Sequence, residues 1–282
     1  MKTKLMHCLA ASTLMLSANA AEAAITCNVS SPGFTAGYTS AGAQVITQTS
    51  YSITCSRGVD ATDPTTTAYA VKVNNGLTPQ GQNNQAVSGT NLLRYDTFTN
   101  STCSAPWKAN TIVPSPAGTI TMVGLAPTTV TQNFWGCIAA GLTPVAGTYT
   151  DTVIMTPTYS TGVVGGVGTF PVTIITPATC TIASIPNITL AYGGAFSSTP
   201  VTATTLAPVT CSNNLPYTLA VSPTSGVSAG INYSLTLPAS GTGTGSLQNI
   251  TITATAPTGQ AGTCAAAACT GAAQPHTLTV TY

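Results

Sequence analysis

Charged residues are scarce in this sequence. Asp, Glu, Lys and Arg make up 4% of its 282 residues, whereas ordinary globular domains contain roughly 25%. The formal net charge is +1, so the chain cannot build the basic surface that neutralises phosphates, and nucleic-acid-binding proteins are excluded. Disordered chains combine high net charge with low hydrophobicity. Here 43% of the residues are hydrophobic, which indicates a folded protein.

Glu and Lys, which favour long helices, are among the missing residues. Thr, Val, Ile, Ser and Gly are abundant instead, and this composition favours strands. Apolar and polar residues alternate with a period of two in 231–237 and again in 277–282, as expected of strands with one buried face. Short segments of this kind, separated by Gly, Pro and Asn, predict an all-β protein.

Long apolar runs are also missing, apart from a short one near the N-terminus. Lys2 and Lys4 precede an apolar stretch at 9–16, and Ala-x-Ala triplets at 18–20 and 21–23 are candidate cleavage sites. This stretch is shorter than the ~20 residues that a spanning helix requires. We therefore expect residues 1–23 to be a secretory signal peptide and the chain to have no membrane span.

Eight of the nine cysteines lie beyond this leader. An even number of cysteines in an exported chain indicates disulfide bonds. The simplest arrangement keeps four cysteines in each half of the chain, although sequence alone does not determine the connectivity. The expected pairs are Cys27–Cys55, Cys103–Cys137, Cys180–Cys211 and Cys264–Cys269.

The two halves of the chain contain the same landmarks in the same order, which indicates two related domains. In each half, two cysteines are followed by an apolar segment with a tyrosine, an apolar-x-Tyr strand, an Ala-Gly-Thr turn and a Thr-rich strand ending in Tyr. The turns lie at 146–148 and 261–263, and the final strands at 151–159 and 276–282. We predict two immunoglobulin-like β-sandwiches in tandem, over 24–176 and 177–282.

The halves differ after their final tyrosines. A Gly-rich turn at 160–168 and an apolar segment at 169–176 follow Tyr159, whereas the sequence stops at Tyr282. We predict that Phe170, Val172 and Ile174 belong to a strand that completes the first domain. The second domain would then lack its last strand and expose an edge. The alternative is that 169–176 is only a linker and that the second domain closes itself.

These landmarks resemble the spore coat protein U domain family. The first half carries the family's turn as Ala146-Gly147-Thr148-Tyr149-Thr150-Asp151, between the paired cysteines and the terminal Thr/Val strand. The second half keeps Ala261-Gly262-Thr263 but then has an insertion with Cys264 and Cys269. The resemblance covers nearly the whole chain after the leader, and its motifs are diffuse.

The resemblance implies a subunit of an archaic chaperone–usher pilus. Family members with two domains look like tip adhesins, in which an N-terminal adhesin domain sits on a C-terminal pilin domain. The implied partners are a periplasmic chaperone, an outer-membrane usher and an adjacent pilin subunit that donates a strand. The implied location is the pilus tip at the cell surface, reached through the periplasm. The implied function is attachment to an apolar or host surface and biofilm formation, without a cofactor.

A tip position is also expected from the N-terminus. Cys27 follows the predicted cleavage sites by at most six residues, which span ~20 Å when fully extended. Such a segment is too short to fill a neighbour's groove, so we expect this subunit to receive a strand but not to donate one.

Apolar residues in loops mark candidate binding surfaces at the far end of the first domain. The hairpin before 169–176 carries Val163, Val164 and Val167 among glycines, and the loop 57–67 should reach the same end. The alternative is that these valines fold back onto the core. A further candidate is the stretch 112–127, with Ile112, Val113, Ile120, Met122 and Val123. Its alternative is that 120–123 is simply a strand.

Two other functions compete with adhesion. A shaft or coat subunit would polymerise without binding a ligand, and a carbohydrate-binding module would use Trp107 and Trp135, which we expect instead in the core. Enzyme classes are disfavoured, because His276 is the only histidine after the leader and no carboxylate lies near it in sequence. Asp60 and Asp63 are expected in a polar loop. We expect no catalytic, metal or cofactor site.

Overall fold

The computed structural model describes residues 25–58, 64–109, 116–159, 163–264 and 270–282. The predicted leader at 1–23 lies outside these residues. The described residues form nineteen strands and no helix, which confirms the all-β class. No helix in this part of the chain has the length and hydropathy needed to cross a membrane. We call residues 25–176 the N-terminal region and residues 177–282 the C-terminal region.

Eleven strands of the N-terminal region belong to one hydrogen-bonded system. Their order is β1-β3-β8-β6-β5-β9-β11-β2, while β4 pairs with β7 and β9, and β10 pairs with β9. The strands are β1 (Thr26–Ser30), β2 (Phe34–Gly37), β3 (Val45–Ser56), β4 (Thr66–Val73), β5 (Asn84–Ser88), β6 (Asn91–Phe98), β7 (Ala117–Thr121), β8 (Thr128–Ile138), β9 (Gly147–Tyr159), β10 (Val163–Val164) and β11 (Gly168–Thr176).

Strand β6 joins the two layers of this region. Its residues 91–95 pair with β5, and its residues 96–98 pair with β8. The layers enclose one apolar cluster, in which the ring of Phe134 lies 5.1 Å from Trp107 and 5.1 Å from Phe170. Alternation along the strands explains this core, because every second residue of β9 and β11 is buried.

The C-terminal region contains two sheets that face each other. The five-stranded sheet has the order β12-β13-β18-β16-β15, and the three-stranded sheet has the order β17-β14-β19. They meet through a small cluster with Val209 and Cys211 on one side and Tyr217 and Leu219 on the other. The strands are β12 (Cys180–Ile182), β13 (Val201–Cys211), β14 (Pro216–Ser222), β15 (Ser225–Ser228), β16 (Ile231–Thr236), β17 (Ser240–Thr242), β18 (Leu247–Ala256) and β19 (Thr277–Thr281).

Three disulfide bonds join the expected partners. Cys27–Cys55 links directly opposite residues of β1 and β3, and Cys180–Cys211 does the same for β12 and β13. Cys103–Cys137 ties the loop after β6 to β8. Cys264 is also disulfide-bonded, but Cys269 lies outside the described residues, so the pair Cys264–Cys269 stays a prediction.

The aspartate of the Ala-Gly-Thr-Tyr-Thr-Asp turn has a structural role. Asp151 is buried, and its carboxylate accepts hydrogen bonds from Tyr95 Oη at 2.7 Å, Leu77 N at 2.9 Å and Thr152 N at 2.7 Å. A buried carboxylate is tolerated when it is hydrogen-bonded in this way. Burial, followed by the proximity of this carboxylate, raises the pKa of Tyr95 above its ordinary value. The motif therefore holds β9, β6 and the loop after β4 together.

The described ion pairs are confined to one cluster in the N-terminal region. Asp96 of β6 lies 2.7 Å from Lys108 Nζ and 3.4 Å from Arg94 Nη2. From residue 160 onward the sequence has no charged side chain. The C-terminal region is therefore held by apolar packing, hydrogen bonds and disulfides.

Candidate functional site

Strand β11 fills a slot between two other strands of the N-terminal region. It pairs antiparallel with β9 along its whole length, from Gly168 opposite Met155 to Thr176 opposite Gly147. On its other side it pairs parallel with β2. The side chains of Phe170, Val172 and Ile174 are fully buried in the core. The segment that follows the first terminal tyrosine is therefore a central strand in this structure.

The C-terminal region shows no strand in the corresponding place. Strand β19, which precedes Tyr282, pairs with β14 and lies at the edge of the three-stranded sheet. Within the described residues, no strand pairs with its outer side. Leu278 and Val280 are only half-buried, and Tyr282 is exposed. The edge thus combines free backbone groups with incompletely covered apolar side chains.

The segment that corresponds to β2, which we call the opposite wall of this slot, is also unpaired among the described residues. Strand β2 follows the first cysteine of the N-terminal region, and the segment 188–192 takes that place after Cys180. Its side chains alternate, and Ile188 and Leu190 are half-buried against the cluster of Val221, Leu235 and Ala254. The segment has the pattern of a strand but is not one in the described structure. A strand placed between 188–192 and β19 would cover both.

His276 immediately precedes β19 and fixes its position. Its Nε2 lies 2.7 Å from Tyr233 Oη, and its Nδ1 lies 2.7 Å from the carbonyl oxygen of Pro223. Because a carbonyl only accepts, Nδ1 carries the donated proton. Both ring nitrogens are engaged, which gives the histidine a structural role at the start of β19. Among the described residues, no group of His, Cys, Asp and Glu is placed to hold a metal ion.

The three valines of the hairpin lie exposed at one end of the N-terminal region. Val163, Val164 and Val167 are 49%, 59% and 59% exposed. The glycines between them pack against β1: Gly166 N donates to Cys27 O at 2.7 Å, and a Cβ on Gly165 would lie 2.4 Å from the same oxygen. This close approach requires glycine at 165, since any side chain would displace the β1 backbone. The loop is thus pinned while its valines face solvent.

Two more exposed apolar residues lie at the same end. Val123 is 83% and Leu125 is 54% exposed. Arg57, just after β3, donates from Nε to the carbonyl of Gly124 at 2.7 Å. The end of β3 is also linked to the hairpin, because Cys55 lies opposite Cys27 and the neighbouring Asn28 bridges to Gly166. We call Val123, Leu125, Val163, Val164 and Val167 the apolar end.

The stretch 112–127 is only partly a surface. Ile120 and Met122 are fully buried in the core. The structure here favours the alternative of a strand, since β7 pairs with β4 through Ile120, and Met122 N donates to Thr65 O at 2.7 Å just beyond it. Ile112, Val113, Asp60 and Asp63 lie outside the described residues. Leu125 lies within the candidate stretch 112–127 but was not named there. The glycine that precedes it, Gly124, was the turn signal available in the sequence.

The two tryptophans do not share a pocket. Trp107 is buried, its Nε1 donates to Val71 O at 2.9 Å, and its ring packs against Tyr51. Trp135 is half-buried, so its expected place in the core is wrong. The alternation of β8 turns Phe134 inward and its neighbour Trp135 outward. A sugar-binding pair of tryptophans is not formed.

The geometry defines an all-β fold in which β11 lies between β9 and β2, while no described strand occupies the corresponding place beside β19. The family model of the Spore Coat Protein U domain matches residues 12–156 and 167–242, and the chain belongs to this family. Members of the family are structural proteins rather than enzymes, and this chain is not an enzyme. No curated protein matches the chain.

Among solved structures, the chain is similar to pilin and adhesin subunits. The CooA pilin subunit of enterotoxigenic Escherichia coli is 12% identical, with a TM-score of 0.34 over 54% of this chain and 98% of CooA. The CupB6 tip adhesin of Pseudomonas aeruginosa is 12% identical, with a TM-score of 0.40 over 85% of this chain and 90% of CupB6. CfaE, the adhesive subunit of CFA/I fimbria of enterotoxigenic Escherichia coli, is 13% identical, with a TM-score of 0.29 over 54% of this chain and 48% of CfaE.

Proposed function

We propose that this chain is a tip subunit of a chaperone–usher pilus, exported through the periplasm to the cell surface. The observation that carries the proposal is the difference between the two slots. β11 fills the N-terminal slot in cis, whereas β19 is an edge strand among the described residues. The C-terminal region therefore accepts a strand from another chain.

The unfilled slot has the two properties that strand addition needs. An exposed edge offers backbone donors and acceptors to an incoming strand, and alternate side chains of that strand fill pockets below. Leu278 supplies the half-covered apolar floor, with Ile188 and Leu190 on the opposite wall. A periplasmic chaperone would cover this surface first. At the outer-membrane usher, the adjacent pilin subunit would replace it.

The apolar end supports a role in attachment. The described contacts between the regions include a bridge of Val145 to Asn213 and a hydrogen bond from Asn213 Nδ2 to Thr143 O at 2.9 Å, and both lie near the start of β9. The hairpin valines lie beside the last residues of β9, with Val163 opposite Tyr159 and Val164 opposite Thr158. The exposed valines therefore face away from the subunit that would donate a strand. Contact with an apolar surface would remove their side chains from water, which favours attachment to surfaces and biofilm formation.

Co-expression tests the unfilled slot. The full chain is produced in a periplasm with and without a candidate chaperone of the pathway and is then purified. We expect aggregation or degradation without the chaperone, because the edge is exposed, and a one-to-one complex with it. Recovery of a stable monomer without any chaperone would contradict the proposal.

Substitution of the loop valines tests attachment. We expect the triple variant Val163→Ser, Val164→Ser and Val167→Ser to reduce attachment of piliated cells to a hydrophobic plastic by at least about tenfold, equivalent to about 1.4 kcal/mol. Assembly should persist because the side chains are exposed. Val227→Ser is the matched control, since this valine is 53% exposed in the C-terminal region. Unchanged attachment of the triple variant would remove these residues from the site.

A further inference from the structure

The pairing of the terminal strands aligns the two slots residue by residue. Val73 of β4 lies opposite Met155 of β9, and Val221 of β14 lies opposite Leu278 of β19. Met155 and Leu278 each stand four residues before the terminal tyrosine of their strand. Leu278 is therefore the counterpart of Met155.

This alignment fixes the footprint of a strand in the unfilled slot. β11 covers β9 from Met155 back to Gly147, so it contacts Met155 and the eight residues before it. Counted back from Leu278, the same footprint comprises residues 270–278. Only the last two of these, Thr277 and Leu278, belong to β19. Most of the footprint thus lies on a segment that is not a strand.

The segment 270–276 has contacts on the side away from the slot. Ser228 Oγ donates to Ala272 O at 3.1 Å, and His276 is bound to Pro223 and Tyr233. Within the described residues, 270–276 forms no backbone–backbone hydrogen bond, and the same holds for 188–192 on the opposite wall. In the N-terminal region the counterparts of both walls are strands β9 and β2, and both are paired with β11. The two flanking segments are therefore strands in the region where a central strand lies between them, and they are irregular in the region where none is described.

We propose that residues 270–276 become a strand only when a donor strand enters the slot, so that the occupant builds part of its own binding site. This inference rests on the proposed strand acceptance. The occupant is an extended segment of about nine residues, antiparallel to β19, with apolar side chains at alternate positions as in β11. Ordering the wall costs conformational entropy, so a segment that fails to satisfy its backbone groups does not hold the slot. β19 thereby extends toward residue 270 in the assembled subunit.

The chain supplies the probe for a direct test. Residues 160–176 connect Tyr159 to β11 and include it. A copy of 160–176 appended after Tyr282 gives the full chain a tethered donor with the native connection length. Hydrogen–deuterium exchange with mass spectrometry then compares the extended chain with the original chain, which is released from its chaperone complex at high dilution immediately before labelling. We expect amide exchange of 270–276 and of 188–192 to slow by at least about tenfold.

A matched control carries the same extension with the copied Phe170, Val172 and Ile174 replaced by Ser, and we expect it to leave the exchange unchanged. Slower exchange at 188–192 and 277–281, with none at 270–276, would overturn this inference but leave strand acceptance intact. Unchanged exchange in all three segments would overturn both the inference and the proposed function.

Discussion

The N-terminal and C-terminal regions share their order of landmarks but bury very different cores. The first encloses one continuous cluster that includes Trp107, Phe134 and Phe170. The second has two small clusters, and most of the apolar residues around them are only half-buried, including Leu237 and Val280. The main architectural difference is the central strand β11. The comparison shows how much of a sandwich core depends on one strand that lies between β9 and β2 and buries its side chains.

The two regions also differ in their content of large aromatic side chains. Both tryptophans and all phenylalanines except Phe196 lie in the N-terminal region, and Phe196 is exposed. β11 brings Phe170 against Phe134, so the strand that fills the N-terminal slot itself contributes a large aromatic side chain to the core. In the C-terminal region the half-buried residues Ile188, Leu190 and Leu278 beside the slot are aliphatic. Its occupant must therefore supply most of the missing volume.

The largest expected effect comes from emptying the filled slot. We expect Phe170→Ala to lower the free energy of unfolding of the N-terminal region by about 3–5 kcal/mol, because it leaves a cavity beside Phe134. Ile175→Ala is the control, since this neighbour faces solvent and should change stability by about 0.5 kcal/mol or less. Urea unfolding followed by the fluorescence of the buried Trp107 measures both. Equal effects of the two variants would show that β11 does not carry the core.

The disulfides give an intermediate effect that tests the size of each core. Cys27–Cys55 and Cys180–Cys211 close loops with sequence separations of 28 and 31, so chain entropy predicts a similar loss of about 2–4 kcal/mol for each. The double variant Cys180→Ala/Cys211→Ala should nevertheless unfold its region, because the smaller core has less stability to lose. Cys27→Ala/Cys55→Ala should leave the other region folded. Limited proteolysis distinguishes these results, and the reverse order would refute the comparison.

The smallest expected effect concerns alkaline pH. Burial, followed by nearby charge, raises the pKa of Tyr95 and Tyr51 above the ordinary value in the N-terminal region. The unfolded chain releases these protons near pH 10, whereas the folded state retains them. The contribution of these raised pKa values to the free energy of unfolding is therefore fully present below about pH 10, and it is lost as the pH rises above that value. We expect the Trp107 fluorescence transition to shift to lower urea between about pH 9 and 11, on either side of the ordinary tyrosine pKa of about 10. Tyr95→Phe should flatten this dependence, and an unchanged slope would contradict it.

Much of the fold follows from local patterns in the sequence. Alternation predicts β16 and β19, and the cysteine spacing agrees with the three described disulfides. The orientation of Trp135 did not follow from the sequence, because Phe134 and Trp135 are adjacent aromatic residues and the sequence does not say which of the two faces inward. The crossing of β6 between layers was equally hidden, since it depends on partners distant in sequence. The sequence also did not show that 270–276 is unpaired. This feature is recognised only when the segment is compared with its counterpart in β9.

The near absence of charge in the C-terminal region has a consequence for how partners meet it. Long-range attraction between opposite charges speeds association and fades as dissolved ions screen it. A slot in a region without Asp, Glu, Lys or Arg does not attract a partner through charge. Screening by salt therefore does not slow the association. Strand exchange should run at the unassisted rate of about 10⁵–10⁶ M⁻¹s⁻¹ or below. The rate of the proposed strand addition should therefore depend only weakly on the concentration of dissolved salt.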